Sequence, residues 1–496
     1  MKKTFFIPLL LFFIHVNGQD LQTSLQTVFN NNQLIGMSVV VFSGENQSVH
    51  NFGTKNFSQN LLIDNATKYR IASISKSFTA LGLMKLYDQN LFQLDDDIST
   101  YLGYTVRNPN FPTIPITFRM LLTHTSSLVD GTGYDSFLSA TYNQNPIPNM
   151  SSILLPTGTY YTADMYRNKT PGTYFSYANI NFALIGTLIE RISTKRFDIF
   201  MKDNILIPLG ITGSFNIQDI SVISDVATLY RKPSGTWVPQ ADNYNGVKPT
   251  APDLSTYVIG TNGAYFAPQG GLRVSVSELS IFLKYIRSSG SSVPGLLKPA
   301  TMETMKTVNW TYNGTNGNNY YGLFNKWGLG LHYANTNSDD YIGDQSTFGN
   351  FVGHTGEAYG LISDAFYSIS KNVGFAFITN GKSTGYVSSI NTFYTVENQV
   401  FDAICAYFNQ SLKQADNTID GVHIYPNPTD GKCLIKLNEI PLKIEIYNTI
   451  GETIIKKSNI QSKELDIDLQ NYSSGIYIIK ITNSDNKNVI EKIIKK

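Results

Sequence analysis

This chain cannot be built around a single core, because its charge density and its apolar periodicity both change near residue 421. The last 75 residues hold 11 lysines and 9 acidic side chains, whereas the 421 before them hold 55 charged residues, about half that density. In the tail the apolar positions alternate: Ile444 and Ile446 flank Glu445, and Leu465, Ile467 and Leu469 flank Asp466 and Asp468. Period two in a β-branched run describes half-buried strands. Gly475 opens a further such run to Ile481, and Pro426-Asn427-Pro428, Thr429-Asp430-Gly431 and Asn483 to Asn486 supply turn residues between the runs. A small all-β sandwich of six or seven strands is therefore expected over residues 422–496. The polar, aperiodic stretch 411–421 is expected to be a linker.

Two or three domains also suit a length of 496 residues. With 38 basic against 37 acidic side chains, no overall field draws the protein to nucleic acid or an anionic membrane. Cys405 and Cys433 are too few for a disulfide framework, and with one per domain they are not expected to pair. No C-x-x-C or H-E-x-x-H spacing occurs, so neither a metal nor another cofactor is expected. At the start, Lys2 and Lys3 precede an apolar run from Phe5 to Val16, too short for a bilayer span, which needs ~20 residues. Residues 1–18 are expected to be an export signal.

Residues 20–410 carry the chemistry. Strand patterns open this region (Met37 to Phe42, then towards Gly53) and close it (Trp327 to His332, Phe351 to His354, Ala365 to Ile369, Val373 to Thr379). Helical patterns lie between: Ser73 to Asp88, Asn179 to Ile192, and a capped helix from Ser275 and Glu278 to about Ile286. A last helix is expected to end near Phe408. This order predicts an α/β sandwich (α+β), an antiparallel sheet shared by both ends of the region and flanked by helices. The stretches Asn309 to Tyr321 and Asn143 to Pro156 are expected to be surface loops that could rim a site.

Ser73 and Lys76, in Arg70-Ile-Ala-Ser73-Ile-Ser-Lys76, sit one helical turn apart on one face. A serine becomes a nucleophile when a base lies beside it. Burial near a helix N-terminus disfavours the ammonium form of a lysine and so supplies that base. Three more segments add to this pair. Phe175-Ser176-Tyr177-Ala178-Asn179 heads an amphipathic helix; Leu121-Leu122-Thr123-His124-Thr125-Ser126-Ser127 and Phe351-Val352-Gly353-His354-Thr355-Gly356-Glu357 follow strand-like or turn patterns.

In this order the segments resemble the serine β-lactamase and penicillin-binding-protein family, in the branch with class C β-lactamases, D-aminopeptidases and esterases. Gly270-Gly271-Leu272-Arg273 and Trp327-Gly328-Leu329-Gly330 also fit it. The resemblance implies Ser73 as the acylated nucleophile, Lys76 as its proton partner and Tyr177 as a general base acting with that lysine. It implies Asn179 as a ligand of the substrate amide, and His354, Thr355, Gly356 and Glu357 as the substrate-binding strand. The backbone N–H groups of Ser73 and Glu357 would form the oxyanion hole.

Where the family has lysine, this chain has His354, expected to titrate near pH ~6.5. That change favours esters, D-amino-acid amides and short peptides over β-lactams or D-Ala-D-Ala. A β-lactamase or carboxypeptidase, and a binding protein that only keeps the fold, are the alternatives. Ser127 replaces a family glycine, which puts the loop conformation in question. His124 is expected to donate a hydrogen bond that fixes its loop, His50 and His332 to lie in strands, and Asp95-Asp96-Asp97 to form a turn or helix start.

The tail resembles the C-terminal sorting domain of type IX secretion cargo in the Bacteroidetes. The resemblance rests on Tyr425-Pro426-Asn427-Pro428-Thr429-Asp430-Gly431, Ile446-Tyr447-Asn448 with Gly451, and Ser474-Gly475-Ile476-Tyr477. It implies the secretion machinery as a partner and a secreted or cell-surface protein, exported through the periplasm. A permanent accessory β-domain is the other reading.

Overall fold

The computed structural model describes residues 20–383, 390–416, 421–484 and 487–496. The expected export signal therefore lies outside the described residues, as do 417–420 of the expected linker and 485–486 of the last turn. The chain divides into two compact units, Gln19–Cys405 and Ala406–Lys496.

The first unit is built on a sheet whose long strands are β1 (Gly36–Ser43), β2 (Asn46–Asn56), β3 (Phe351–Ala358), β4 (Leu361–Ser368) and β5 (Val373–Lys382), in the spatial order β2-β1-β5-β4-β3. Pairing of β1 with β5, from Met37 opposite Thr379 to Ser43 opposite Val373, joins the two ends of the unit antiparallel, as the patterning predicts. Short strands at His332–Ala334, Lys326–Trp327 and Trp310–Thr311 continue the sheet beyond β3. Both faces are covered. Val40 and Phe42 join the main core, where helix α5 (Val276–Arg287) packs on β1, β4 and β5. On the other face the Phe375 and Phe401 rings meet at 5.5 Å. A sheet buried on both sides reads as an unbroken apolar run, which is why β1 shows no polar alternation.

Helix α1 (Leu21–Asn31) packs on β2, and four further helices bring residues to the site: α2 (Ser75–Asp88), α3 (Tyr134–Asn143), α4 (Asn179–Ser193) and α6 (Thr395–Asp416). The chain enters α2 through a 3-10 turn at Ala72–Ile74, so Ser73 stands just outside the regular helix. Nearly all of α2 is buried, polar residues included, and each of these finds a partner. Ser77 Oγ donates to the Gly330 carbonyl at 2.8 Å and Thr79 Oγ1 to the Pro268 carbonyl at 2.7 Å. The capping box predicted at α5 is present, with Ser275 and Glu278 each bonding the other's backbone N–H. Helix α6 runs to Asp416, past the predicted end near Phe408 and through the first half of the expected linker. That stretch has the composition of a loop but no Pro or Gly to stop a helix already propagating.

The second unit holds seven strands in two sheets among the described residues, His423–Tyr425, Lys432–Lys436 and Glu464–Asp468 in one, and Thr453–Ser458, Lys443–Tyr447, Gly475–Thr482 and Asn488–Lys495 in the other. Ile435, Ile444, Ile446, Ile467, Leu469, Ile479, Ile481 and Ile493 meet in its core, with Cys433 facing inward among them. The Tyr425–Thr429 loop closes the free edge of Asn488–Lys495. Asn427 Nδ2 donates to the Lys492 carbonyl at 2.6 Å, and its Oδ1 accepts from Ile494 N at 2.9 Å. An edge strand covered in this way offers no template for further pairing.

Candidate active site

Ser73, Tyr177, Asn179, Thr355, Gly356 and Glu357 line one cavity of about 590 Å³. Lys76 lies behind its wall, with no exposed surface. Its Nζ donates to Ser73 Oγ at 2.9 Å, Asn179 Oδ1 at 2.8 Å and the Gln269 carbonyl at 2.9 Å. Burial pushes the Lys76 amine down to about 7, against the opposing pull of Asp130. The free amine is thus within reach near neutral pH and can take a proton from Ser73. Ala72, immediately before the serine, has φ +49°, a left-handed conformation costly for a residue with a side chain. The strain turns the chain sharply from the Tyr69–Arg70 strand into the serine turn.

Tyr177 arrives from the extended segment before α4. Its phenol is within hydrogen-bonding reach of Ser73, and Lys76 Nζ lies 4.9 Å from the ring centroid. Burial raises the Tyr177 hydroxyl well above its ordinary range, so the phenol keeps its proton. The backbone carbonyl of Tyr177 accepts from Tyr320 Oη at 3.1 Å, and Tyr320 itself lines the cavity, as expected of the Asn309 to Tyr321 loop. The Asn143 to Pro156 loop instead borders a separate cavity with Gln144, Pro146 and Asn149.

Asp130 has no counterpart in the sequence reading. Its Oδ2 accepts from Asn179 N and Nδ2, both at 2.9 Å, and its Oδ1 from Ile180 N at 2.9 Å. The carboxylate caps α4 and sets the Asn179 amide so that Oδ1 faces Lys76. It lies 49 residues away in sequence, too far for any local pattern to reveal it.

Glycine at 356 is a steric requirement. A Cβ there would sit 2.7 Å from the Ile71 carbonyl oxygen and 3.1 Å from Ser73 N. Strand β3 can therefore lie against the serine turn only without a side chain. Thr355 and Glu357 face the cavity, and Glu357 accepts from Tyr394 Oη at 2.6 Å.

His354 departs from expectation. It is 1% exposed and off the cavity wall, with Nδ1 2.5 Å from the Thr355 carbonyl and its ring 5.4 Å from that of Trp327. Burial first, then Lys76 and His332, push it well below its ordinary value, so it stays neutral where titration near pH 6.5 was expected. His124 fixes its loop as an acceptor, where a donor was expected: Nδ1 takes hydrogen bonds from Ala178 N and Asn181 Nδ2, both at 3.2 Å. Ser127 adopts φ +70°, and Asn108 Nδ2 holds its hydroxyl at 3.0 Å. His50 and His332 lie in strands, and Asp97 caps a short helix at Ile98–Leu102. Among the described residues no group of His, Cys, Asp or Glu is arranged to hold a metal ion.

Comparison with known proteins agrees with this layout. The tail, residues 423–496, matches the Secretion system C-terminal sorting domain, so the protein carries the address of type IX secretion. Penicillin-binding protein 4* of Bacillus subtilis is 27% identical over 198 residues, 39% of this chain and 40% of that protein. Protein flp of Staphylococcus aureus strain MRSA252 is 22% identical over 80% of this chain and 70% of its own length. The first of these relatives is thus matched over less than half its length. Among solved structures, the octameric penicillin-binding protein homologue from Pyrococcus abyssi superposes with a TM-score of 0.56 at 20% identity, over 96% of this chain and 98% of that one. The D-amino acid amidase from Ochrobactrum anthropi SV3, complexed with L-phenylalanine amide, gives 0.58 at 19% identity, over 79% and 99%. These two share the fold. Because residues 21–396 match the Beta-lactamase family model, the chain belongs to the Beta-lactamase family.

Proposed function

We propose that the protein is a secreted serine hydrolase that cleaves a small ester, amide or D-amino-acid peptide through an acyl-serine intermediate. One observation carries this reading: a buried lysine amine, lowered to about 7, lies 2.9 Å from a serine hydroxyl on a cavity wall. Neutral Lys76 takes the Ser73 proton as Oγ attacks the substrate carbonyl carbon. The carbonyl oxygen becomes an oxyanion held by the backbone N–H groups of Ser73 and Glu357. Tyr177, which keeps its proton, passes it to the leaving group and is reprotonated from Lys76; water then releases the acyl group by the reverse relay. Asn179 and Thr355 bind the substrate amide and flanking polar atoms.

Neutral, buried His354 supports the preference for substrates other than β-lactams, since it offers no cation to their carboxylate at that place. The deciding experiment is fluorophosphonate labelling of the full-length protein read by intact mass. One adduct on Ser73, absent in Ser73→Ala, is expected; no adduct would favour a binding protein that keeps the fold. Turnover of p-nitrophenyl esters or D-alanine p-nitroanilide, with little on nitrocefin, is expected; the reverse order would make it a β-lactamase.

A further inference from the structure

Strand β3 lends Thr355 and Glu357 to the cavity, and both are tied from behind to acids that the proposed reaction does not use. Asp364 of β4 stands directly opposite Thr355 in the antiparallel ladder. Its carboxyl lies within hydrogen-bonding reach of the Thr355 side chain and of Glu397. Glu397, in the first turn of α6, reaches the cavity wall. It accepts from Tyr394 N at 2.5 Å, and Tyr394 Oη donates to Glu357 at 2.6 Å. A run of polar contacts thus leads from Thr355 through Asp364, Glu397 and Tyr394 back to Glu357, with the two acids at its centre.

The setting calls for a proton between those acids. Asp364 is 0% exposed and Glu397 3%, and among the described residues no donor is well aligned on either Asp364 oxygen. Two ionised carboxylates buried in contact repel each other, whereas one that keeps its proton donates it to the other. The neighbouring charges do not remove that repulsion. Lys382 of β5 interacts with both Glu397 and Glu357, so one ammonium stands before three carboxyls. Arg231, beside Lys382 in the sheet, is exposed, and water and salt screen it. Burial accordingly pushes the Asp364 carboxyl up to about 7. Buried polar pairs bring little stability over well-packed apolar side chains. What this pair supplies is direction, through hydrogen bonds that link β3, β4 and α6.

We propose that Asp364 and Glu397 are positioning residues for the hydrolysis: a proton held between their carboxyls ties α6 to β4 and sets the Thr355 hydroxyl and the Glu357 backbone N–H against the substrate. The inference rests on the proposed hydrolase and adds to it two residues that act through β3 rather than on the reacting atoms.

The test compares full-length wild-type protein and variants in kcat/KM for p-nitrophenyl butyrate, after melting curves confirm the fold. Asp364→Asn puts an amide N–H where the proton was and keeps an acceptor for Thr355, so it should stay within about threefold of wild type. Asp364→Val, close in size but without polar atoms, should lose at least about tenfold, since a misplacement of 1 Å costs up to about a hundredfold. With a merely structural acid, activity would follow melting temperature and the amide would bring no rescue. Should Asp364→Val not fold, Glu397→Met against Glu397→Gln makes the same comparison. Asn and Val variants of equal activity, whether both active or both impaired, overturn the proposal and leave the hydrolase standing. A wild-type protein that neither turns over the ester nor takes a fluorophosphonate overturns both.

Discussion

In the proposed mechanism Lys76 serves as a base only because water is kept from it. With its amine lowered to about 7 by burial, the reactive free base forms as pH rises, so kcat/KM for ester hydrolysis should climb tenfold per unit below pH ~7 and level off above it. Lys76→Arg, which cannot lose its proton, should abolish turnover by at least about a thousandfold while sparing the melting temperature more than Lys76→Ala does. Gly356 tests the contact rather than the chemistry. With 2.7 Å to the Ile71 carbonyl oxygen, Gly356→Ala must move β3 or the serine turn. Acylation by fluorophosphonate should slow at least about a hundredfold, since positioning errors near 1 Å cost about that much. The Ser73/Lys76 pair was legible because a three-residue spacing is local. The withdrawal of His354 was not, because burial is decided by Trp327 and Tyr177, far away in the chain.

Two elements are tuned by carboxylates that no local pattern announces. Helix α4 is capped by Asp130 through three hydrogen bonds. Asp130→Ala should cost about 1–2 kcal/mol in chemical denaturation. Because Asp130 also holds the Lys76 amine up, losing it should move the acid limb of the pH–rate profile to lower pH. Asp364 on β4 and Glu397, in the first turn of α6 and on the cavity wall, are both buried, and burial above all keeps a proton on the pair well above the ordinary carboxylate range. An acid whose folded pKa is raised contributes most below its unfolded value, ~4, and the contribution is lost as pH rises through the folded value. Melting temperature should therefore fall from pH 5 to pH 8, and Asp364→Asn should flatten that slope. Helix patterns in the sequence located α4 and α5 well, since caps and period 3.6 are local. The extension of α6 to Asp416 was missed because polar composition alone does not end a helix.

Each of the two compact units has its own apolar core. Removal of residues 422–496 should accordingly leave kcat/KM of the purified enzyme within about twofold, while abolishing appearance of the protein outside a type IX-competent cell, measured by cell fractionation. The sequence by itself determined the bipartite plan, the antiparallel sheet joining both ends of the first unit, the β-rich tail and the Ser73–Lys76 turn, because periodicity, caps and fixed spacings act over a few residues; Tyr177 and Asn179 were picked out by family resemblance. Only the tertiary structure decided which groups are buried and which line the cavity. Asp130 and Lys76, like Asp242 and Arg70, come from separate stretches of the chain. The low lysine and the neutral His354 arise from desolvation and pairing, and these exist only once distant segments have packed together.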